Sequence, residues 1–208
     1  MTTTAYSASN NTTAAITATT AYYGGGIGVT SSGESSDSPQ HAIDNNGAIE
    51  TLLLTFSDGV AGLTAADKVN LTGANFGWVQ TDADFSVYAY TGPGTGSVLG
   101  LTYSNLASNG WTPVGHYNGG STTGAKSFAN TVYSSQWLIG AYNGLGSGGG
   151  LGAGNDYFKL ASVTGTKCPS GSTNPNCGGT PGNGVPEPGT LLLLGAGFLG
   201  LTRVMRRG

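Results

Sequence analysis

Bulky and small residues alternate along Phe85-Ser86-Val87-Tyr88-Ala89-Tyr90, the two-residue period of a strand with one covered face. A near-continuous apolar run from Ile49 to Phe56 ends at the turn-forming Ser57-Asp58-Gly59 and predicts a firm strand. Further strands are expected near Lys68 to Leu71, Ala74 to Val79, Trp111 to Tyr117, Lys126 to Tyr133, Gln136 to Ala141 and Asp156 to Val163. Thr91 to Gly96 reads as a turn, Tyr103 to Ala107 as a short helical turn, and Asn143 to Gly154 as the longest Gly/Ser loop. No amphipathic helical period separates the strands, which excludes a parallel α/β fold. The expectation is an all-β chain with an antiparallel β-sandwich or jelly-roll domain.

The organisation follows from the same pattern. Residues 1–36 form a polar Thr/Ser/Ala/Asn-rich segment with room for a first strand or two, and residues 37–163 form the β domain. Residues 164–184 are a Pro/Gly/Ser/Thr spacer, and residues 185–208 hold a hydrophobic helix with flanking signals.

Composition narrows the function classes. Only 8% of the 208 residues are charged and 38 are glycine, unlike an intracellular enzyme, where roughly a quarter are charged. The arginines, Arg203, Arg206 and Arg207, all lie in the last six positions. Before them stand four lysines and ten acidic residues, a net charge of −6. An acidic body of this kind offers no footprint for nucleic acid. A basic cluster directly after an apolar run marks the cytoplasmic side of a membrane segment. Cys168 and Cys177 bracket CPSGSTNPNC with no histidine nearby, so zinc is not expected. In an oxidising compartment they would close a small disulfide loop; the alternative is two free thiols. Met1 to Tyr23 has neither a basic n-region nor a continuous apolar h-region, whereas an exported protein is expected to carry a leader.

The C-terminus is the most informative part. Val185-Pro186-Glu187-Pro188 is held extended by two prolines. The apolar run Thr190 to Thr202, a helix of about 20 Å, follows, and then the arginine cluster. A span wants about 20 residues, which Val204, Met205 and snorkelling arginines help to approach. The order Pro-Glu-Pro, apolar helix, basic end resembles the PEP-CTERM sorting signal of bacteria that carry exosortases. The resemblance implies export, transient anchoring in the inner membrane, and recognition of Pro186-Glu187-Pro188 by a membrane-embedded exosortase. It also implies removal of the tail, with delivery to the cell surface or beyond. The body resembles the small exosortase-dependent surface proteins over about residues 24 to 163. The residues that carry this likeness are Ser38 to Gly47, Glu50 to Phe56, Gly77-Trp78, Thr81 to Asp84, Trp137 to Tyr142 and Gly154 to Leu160.

Candidate chemistry in the body is sparse. Asp44, Asn45 and Glu50 precede the firm strand and Asp156 opens the last one; as hard oxygen donors they are a candidate Ca²⁺ set. The competing reading has Asp44 and Asn45 capping a turn completed by Asn46-Gly47. Asp82 and Asp84 sit on one face if the segment is a strand and would suit a glycosidase, but read more simply as solvent-facing turn acids. His41 and His116 stand in no metal or triad spacing, and no Gly-x-Ser-x-Gly elbow is present. Trp78, Trp111 and Trp137 each sit beside apolar neighbours and are expected in the core. GGGIG and GSGGG lack the context of a phosphate loop.

These readings predict a non-enzymatic, exported surface or matrix protein, adhesive or structural, associated with exopolysaccharide and biofilm. The rival is a carbohydrate-binding module using exposed aromatics and a loop Ca²⁺, and a polysaccharide hydrolase stands third.

Overall fold

The computed structural model describes residues 1–35, 39, 41–57, 67–146, 151–152, 154–169, 172 and 177. Its strands are β1 (Thr2–Ala8), β2 (Ile16–Tyr23), β3 (Gly26–Thr30), β4 (Ile43–Asp44), β5 (Ile49–Thr55) and β6 (Val69–Thr81). They continue with β7 (Phe85–Tyr90), β8 (Trp111–Tyr117), β9 (Gly124–Ser127), β10 (Gln136–Ala141) and β11 (Asp156–Lys167). They join in one eleven-stranded antiparallel sheet ordered β8-β7-β10-β5-β1-β2-β3-β11-β6-β9, with β4 paired to β11. The all-β antiparallel class read from the sequence holds.

Distant members of this order share one core. Leu52 and Leu54 of β5, Val87 of β7 and Ile139 of β10 pack in the same cluster as Leu71 and Phe76 of β6 and Phe158 of β11. The sheet therefore curls over on itself, and β2 makes the corner. Its first residues pair with β1 (Ala5 opposite Ala18), and its later ones pair with β3 (Thr20 opposite Val29). A strand that changes partners along its length is how a sheet turns such a corner. Phe76 stacks on Phe158 at 4.1 Å and meets Phe85 edge-on at 5.1 Å across the two leaves. Each such buried ring contributes about 1.5–3 kcal/mol over its exposed state.

The strand β5 is buried on both faces. Leu52 and Leu54 enter the central core, while Leu53 joins a second cluster with Tyr88, Leu138, Val98, Leu106 and Trp111. This outer cluster is covered by the connection from β7 to β8, with 3₁₀ turns at Tyr103–Asn105 and Ala107–Asn109. The Tyr103 hydroxyl reaches back to Thr51 Oγ1 at 2.6 Å and donates to the Ile49 carbonyl at 3.1 Å.

Several boundaries differ from the sequence reading. The N-terminal segment supplies β1, β2 and β3, and β1 lies inside the sheet between β5 and β2. The strands expected at Lys68 to Leu71 and Ala74 to Val79 are one long strand, β6, because Gly73 and Gly77 continue the pleat instead of breaking it. A Cβ on Gly77 would meet the Gly25 carbonyl, so that glycine serves close approach to the β2–β3 turn. The strand expected at Lys126 to Tyr133 is only Gly124–Ser127, and β11 runs on to Lys167 into the predicted spacer. The C-terminal helix and most of the spacer lie outside the described residues.

Candidate functional site

Burial dictates where the acidic chemistry gathers. Asp156 shares the inward face of β11 with Phe158 and Leu160 by simple alternation, so its side chain goes into the core with theirs. Asp84 precedes β7, and it too is fully buried. Asp82 is half-buried beside them. Carboxylate oxygens from Asp82, Asp84 and Asp156 all lie within 4.8 Å of one another.

The backbone of the 81–84 segment makes this convergence possible. Thr81 ends β6 with φ at 65°, a left-handed conformation that a β-branched residue adopts only under strain. The chain reverses there, with the Asp82 amide donating to the Gln80 carbonyl at 2.8 Å and the Tyr157 amide donating to the Asp82 carbonyl at 2.8 Å. Thr81 is exposed, so Thr81→Asn relieves the strain without disturbing the core. That variant is expected to gain about 1 kcal/mol in urea unfolding; unchanged stability would show that the turn is not strained.

Hydrogen bonds fix the cluster. Asp156 Oδ1 accepts from the Asp84 amide at 2.7 Å, and its Oδ2 accepts from Asn45 Nδ2. Asn45 Oδ1 in turn accepts from the Asp156 amide at 3.0 Å, while Asn45 Nδ2 also reaches the Tyr142 carbonyl at 3.0 Å. Asp84 Oδ2 accepts from the Gly152 amide at 2.7 Å, but Asp84 Oδ1 is buried with no hydrogen-bond partner. Asp82 Oδ1 accepts from the Ala83 amide at 2.9 Å. Burial pushes Asp156 up to about 7; the Asp84 and Asp82 charges add to the rise, and the Asp84 amide and Asn45 oppose it. Asp84 is also raised, chiefly by burial and then by Asp82, against the amides of Gly152 and Gly119.

A second acidic node forms around Glu50. Glu50 falls on the same face of β5 as Leu52 and Leu54, and it is fully buried. Its Oε1 accepts from Ser31 Oγ at 2.6 Å and its Oε2 from the Asp44 amide at 3.1 Å. Burial, then the Asp44 charge, push Glu50 up to about 10, with Ser31 acting against them. Asp44 rises to about 7, mainly by burial, although the Asn46 amide bonds its Oδ1 at 2.9 Å and pulls it down. Both nodes are therefore places where the fold resists unpaired negative charge. The second borders a cleft of about 400 Å³ lined by Ser7, Ser31, Glu34, Asp44 and Asn46.

The four residues read as a Ca²⁺ set are thus divided. Asn45 and Asp156 bond each other, while Asp44 and Glu50 make a separate pair. The Asx turn at Asp44 to Asn46 is present as well. The solvent-facing reading of Asp82 and Asp84 is corrected: Asp84 is buried and Asp156 is the acidic partner that distance along the chain concealed. Ser86 lies opposite His116 across β7 and β8, with Oγ at 2.8 Å from Nδ1, a pair no sequence motif announced. Ser86 is buried and its oxygen also accepts from the Asn143 amide at 3.3 Å, so the pair ties strands together instead of presenting a nucleophile.

The tryptophans separate too. Trp111 and Trp137 are buried in the two cores, while Trp78 is half-buried on the outer face. There Lys159 Nζ lies 5.1 Å from the Trp78 ring and 4.9 Å from the Tyr23 ring. Cys168 and Cys177 are buried and disulfide-bonded. Val185, Pro186, Glu187, Pro188, Arg203, Arg206 and Arg207 lie outside the described residues.

Fold and termini together define an all-β domain followed by a C-terminal targeting signal. Residues 184–207 match the family model of the PEP-CTERM protein-sorting motif, the signal that exosortase substrates carry. The motif implies export, with processing at the membrane on the way to the cell surface. No curated protein and no solved structure matches the chain.

Proposed function

We propose that the β domain is a non-enzymatic surface or matrix component, delivered by exosortase processing and acting structurally or adhesively in an exopolysaccharide-associated layer. The observation that carries this reading is the order of segments in the C-terminal sequence, Pro186-Glu187-Pro188, apolar run and arginine cluster, matched as a sorting motif. Three features of the domain support a structural role. Charged residues are few, two of three tryptophans are spent on core packing, and Ser86 is buried in its bond to the half-buried His116.

Mass spectrometry of the protein recovered from its own cells tests the delivery step. The mature form is expected to lack Arg206 and Arg207 and to be found outside the cytoplasm. Glu187→Ala should leave the tail attached and the protein held at the inner membrane. A wild-type protein that keeps both arginines at the surface would sink the reading.

One observation favours glycan binding as a second reading. Tyr23 is 45% exposed, and its ring and that of Trp78 both lie against Lys159 Nζ, an aromatic pair open to a ligand. Retention of the protein on immobilised exopolysaccharide, lost in Tyr23→Ala and Trp78→Ala, would select this module over a purely structural coat.

A further inference from the structure

We infer that Asp82, Asp84 and Asp156 form a calcium site that clips the two leaves of the curled sheet together. None of the three lines the cleft beside Glu50. Its geometry comes first: three carboxylate oxygens, one from each residue, lie within 4.8 Å of one another. Opposite ligands of one Ca²⁺ stand about 4.6–5.2 Å apart at the usual 2.3–2.6 Å bond lengths. The same cation takes six to eight oxygens, so bidentate carboxylates, carbonyls and water complete the shell.

The second observation is independent of the clustering. Asp84 is 0% exposed, and its Oδ1 has no hydrogen-bond partner. A buried carboxylate oxygen without a well-formed hydrogen bond is costly, and the Gly119 and Gly152 amides offset only part of the burial that raises Asp84. Among the described residues no lysine or arginine acts on Asp84 or Asp156; the charges felt by the pair are those of the three acids themselves. An all-oxygen donor set with uncompensated negative charge fits a hard divalent cation and not a soft metal.

Position gives the site its purpose. Asp82 and Asp156 lie where β6 and β11 meet, in the leaf that also holds β3 and β9. Asp84 leads into β7, which pairs with β8 and β10 in the other leaf. The Asp84 carbonyl also accepts from the Tyr142 amide at 3.0 Å, just past β10. An ion bound by all three carboxylates ties the two leaves at one end of the core. Asn45, bonded to Asp156 through both ends of its amide, holds that carboxylate in place.

The test uses the full chain, freed of metal with EDTA, and reads melting temperature and calorimetric binding with CaCl₂ or MgCl₂. Calcium is expected to bind with one site per chain and a Kd on the order of 0.1–1 mM, as in extracellular modules, and to raise the melting temperature saturably. Asp82→Asn, at the half-buried position, should weaken calcium at least tenfold. Asp84→Asn should abolish the response while leaving the metal-free protein at least as stable as wild type, since its new amide can donate to the neighbouring acids. Glu50→Gln, in the separate node, should keep the wild-type response. Absence of calcium binding in the wild type, an unchanged response in Asp82→Asn or Asp84→Asn, loss of the response in Glu50→Gln, or an equal response to magnesium would overturn the assignment.

Discussion

Glu50→Gln is expected to leave the melting temperature of the metal-free protein almost unchanged near pH 4.5 and to raise it by several degrees at pH 9. In the unfolded chain the Glu50 carboxyl loses its proton near 4.5, whereas burial beside Asp44 holds that proton in the fold up to about 10. Between those values the native state binds the extra proton, so stability falls as pH rises, by at most about 1.4 kcal/mol per pH unit for this one group. Its favourable share is complete below pH 4.5 and is lost progressively toward pH 10. The groups that face it are Asp44, Glu34, Ser31 and Tyr103; two are acids, and none is a cation. Gln removes the titration and keeps the contacts. Its Oε1 accepts from the Asp44 amide, and its Nε2 donates to Ser31 Oγ, a hydroxyl that accepts as readily as it donates. Thermal melts in EDTA from pH 4.5 to 9 give the comparison. Wild-type and variant curves that run parallel across that range would show that Glu50 does not carry the dependence.

The strands were legible wherever one face was covered and the period of two stayed clean. Phe85 to Tyr90, Trp111 to Tyr117 and Gln136 to Ala141 fall on β7, β8 and β10 as read. Glycine misled the reading of β6, because Gly73 and Gly77 look like breaks in one dimension and are close backbone approaches in three. Thr/Ala-rich β1 and β2 carry little apolar signal. They hold their place through ladder pairing with β5 and β3, which no local pattern reveals.

The acidic site was half legible for a related reason. Asp156 stands in the candidate Ca²⁺ set read from the sequence, and the alternation that buries Phe158 and Leu160 buries it too. Its acidic neighbours in the fold, Asp82 and Asp84, lie more than seventy positions away and come together through the β6–β11 ladder and the reversal at Thr81. Read as a local pair they resemble a solvated turn. The sorting tail posed no such problem, since its parts are contiguous and their order along the chain is the signal.

The glycine-rich GGGIG segment shows how residues of one type in one motif carry unequal weight. Gly28→Ala is expected to destabilise the domain by about 3 kcal/mol, at the upper end of overpacking costs. Gly24→Ala should stay within about 0.5 kcal/mol of wild type. Gly24 is exposed at the β2–β3 turn, and a Cβ there would meet nothing within 4 Å. Gly28 is buried in β3, and its Cβ would sit 1.9 Å from the His41 carbonyl oxygen. Its φ lies outside the left-handed region, so the requirement is for space and not for conformational freedom. The His41–Ala42 backbone cannot simply retreat, because the Val29 amide donates to the Ala42 carbonyl at 3.1 Å. Directly beyond it, Ile43 and Asp44 pair with Phe158 and Tyr157 of β11. Displacement of that segment would therefore propagate to Asn45 and loosen its grip on Asp156, so Gly28→Ala should also weaken calcium binding. Urea midpoints and calcium titrations of the two variants, side by side, decide the matter. Equal midpoints would mean that β3 and the 41–42 segment are not in backbone contact, and the route from this hairpin to the acidic site would be lost with it.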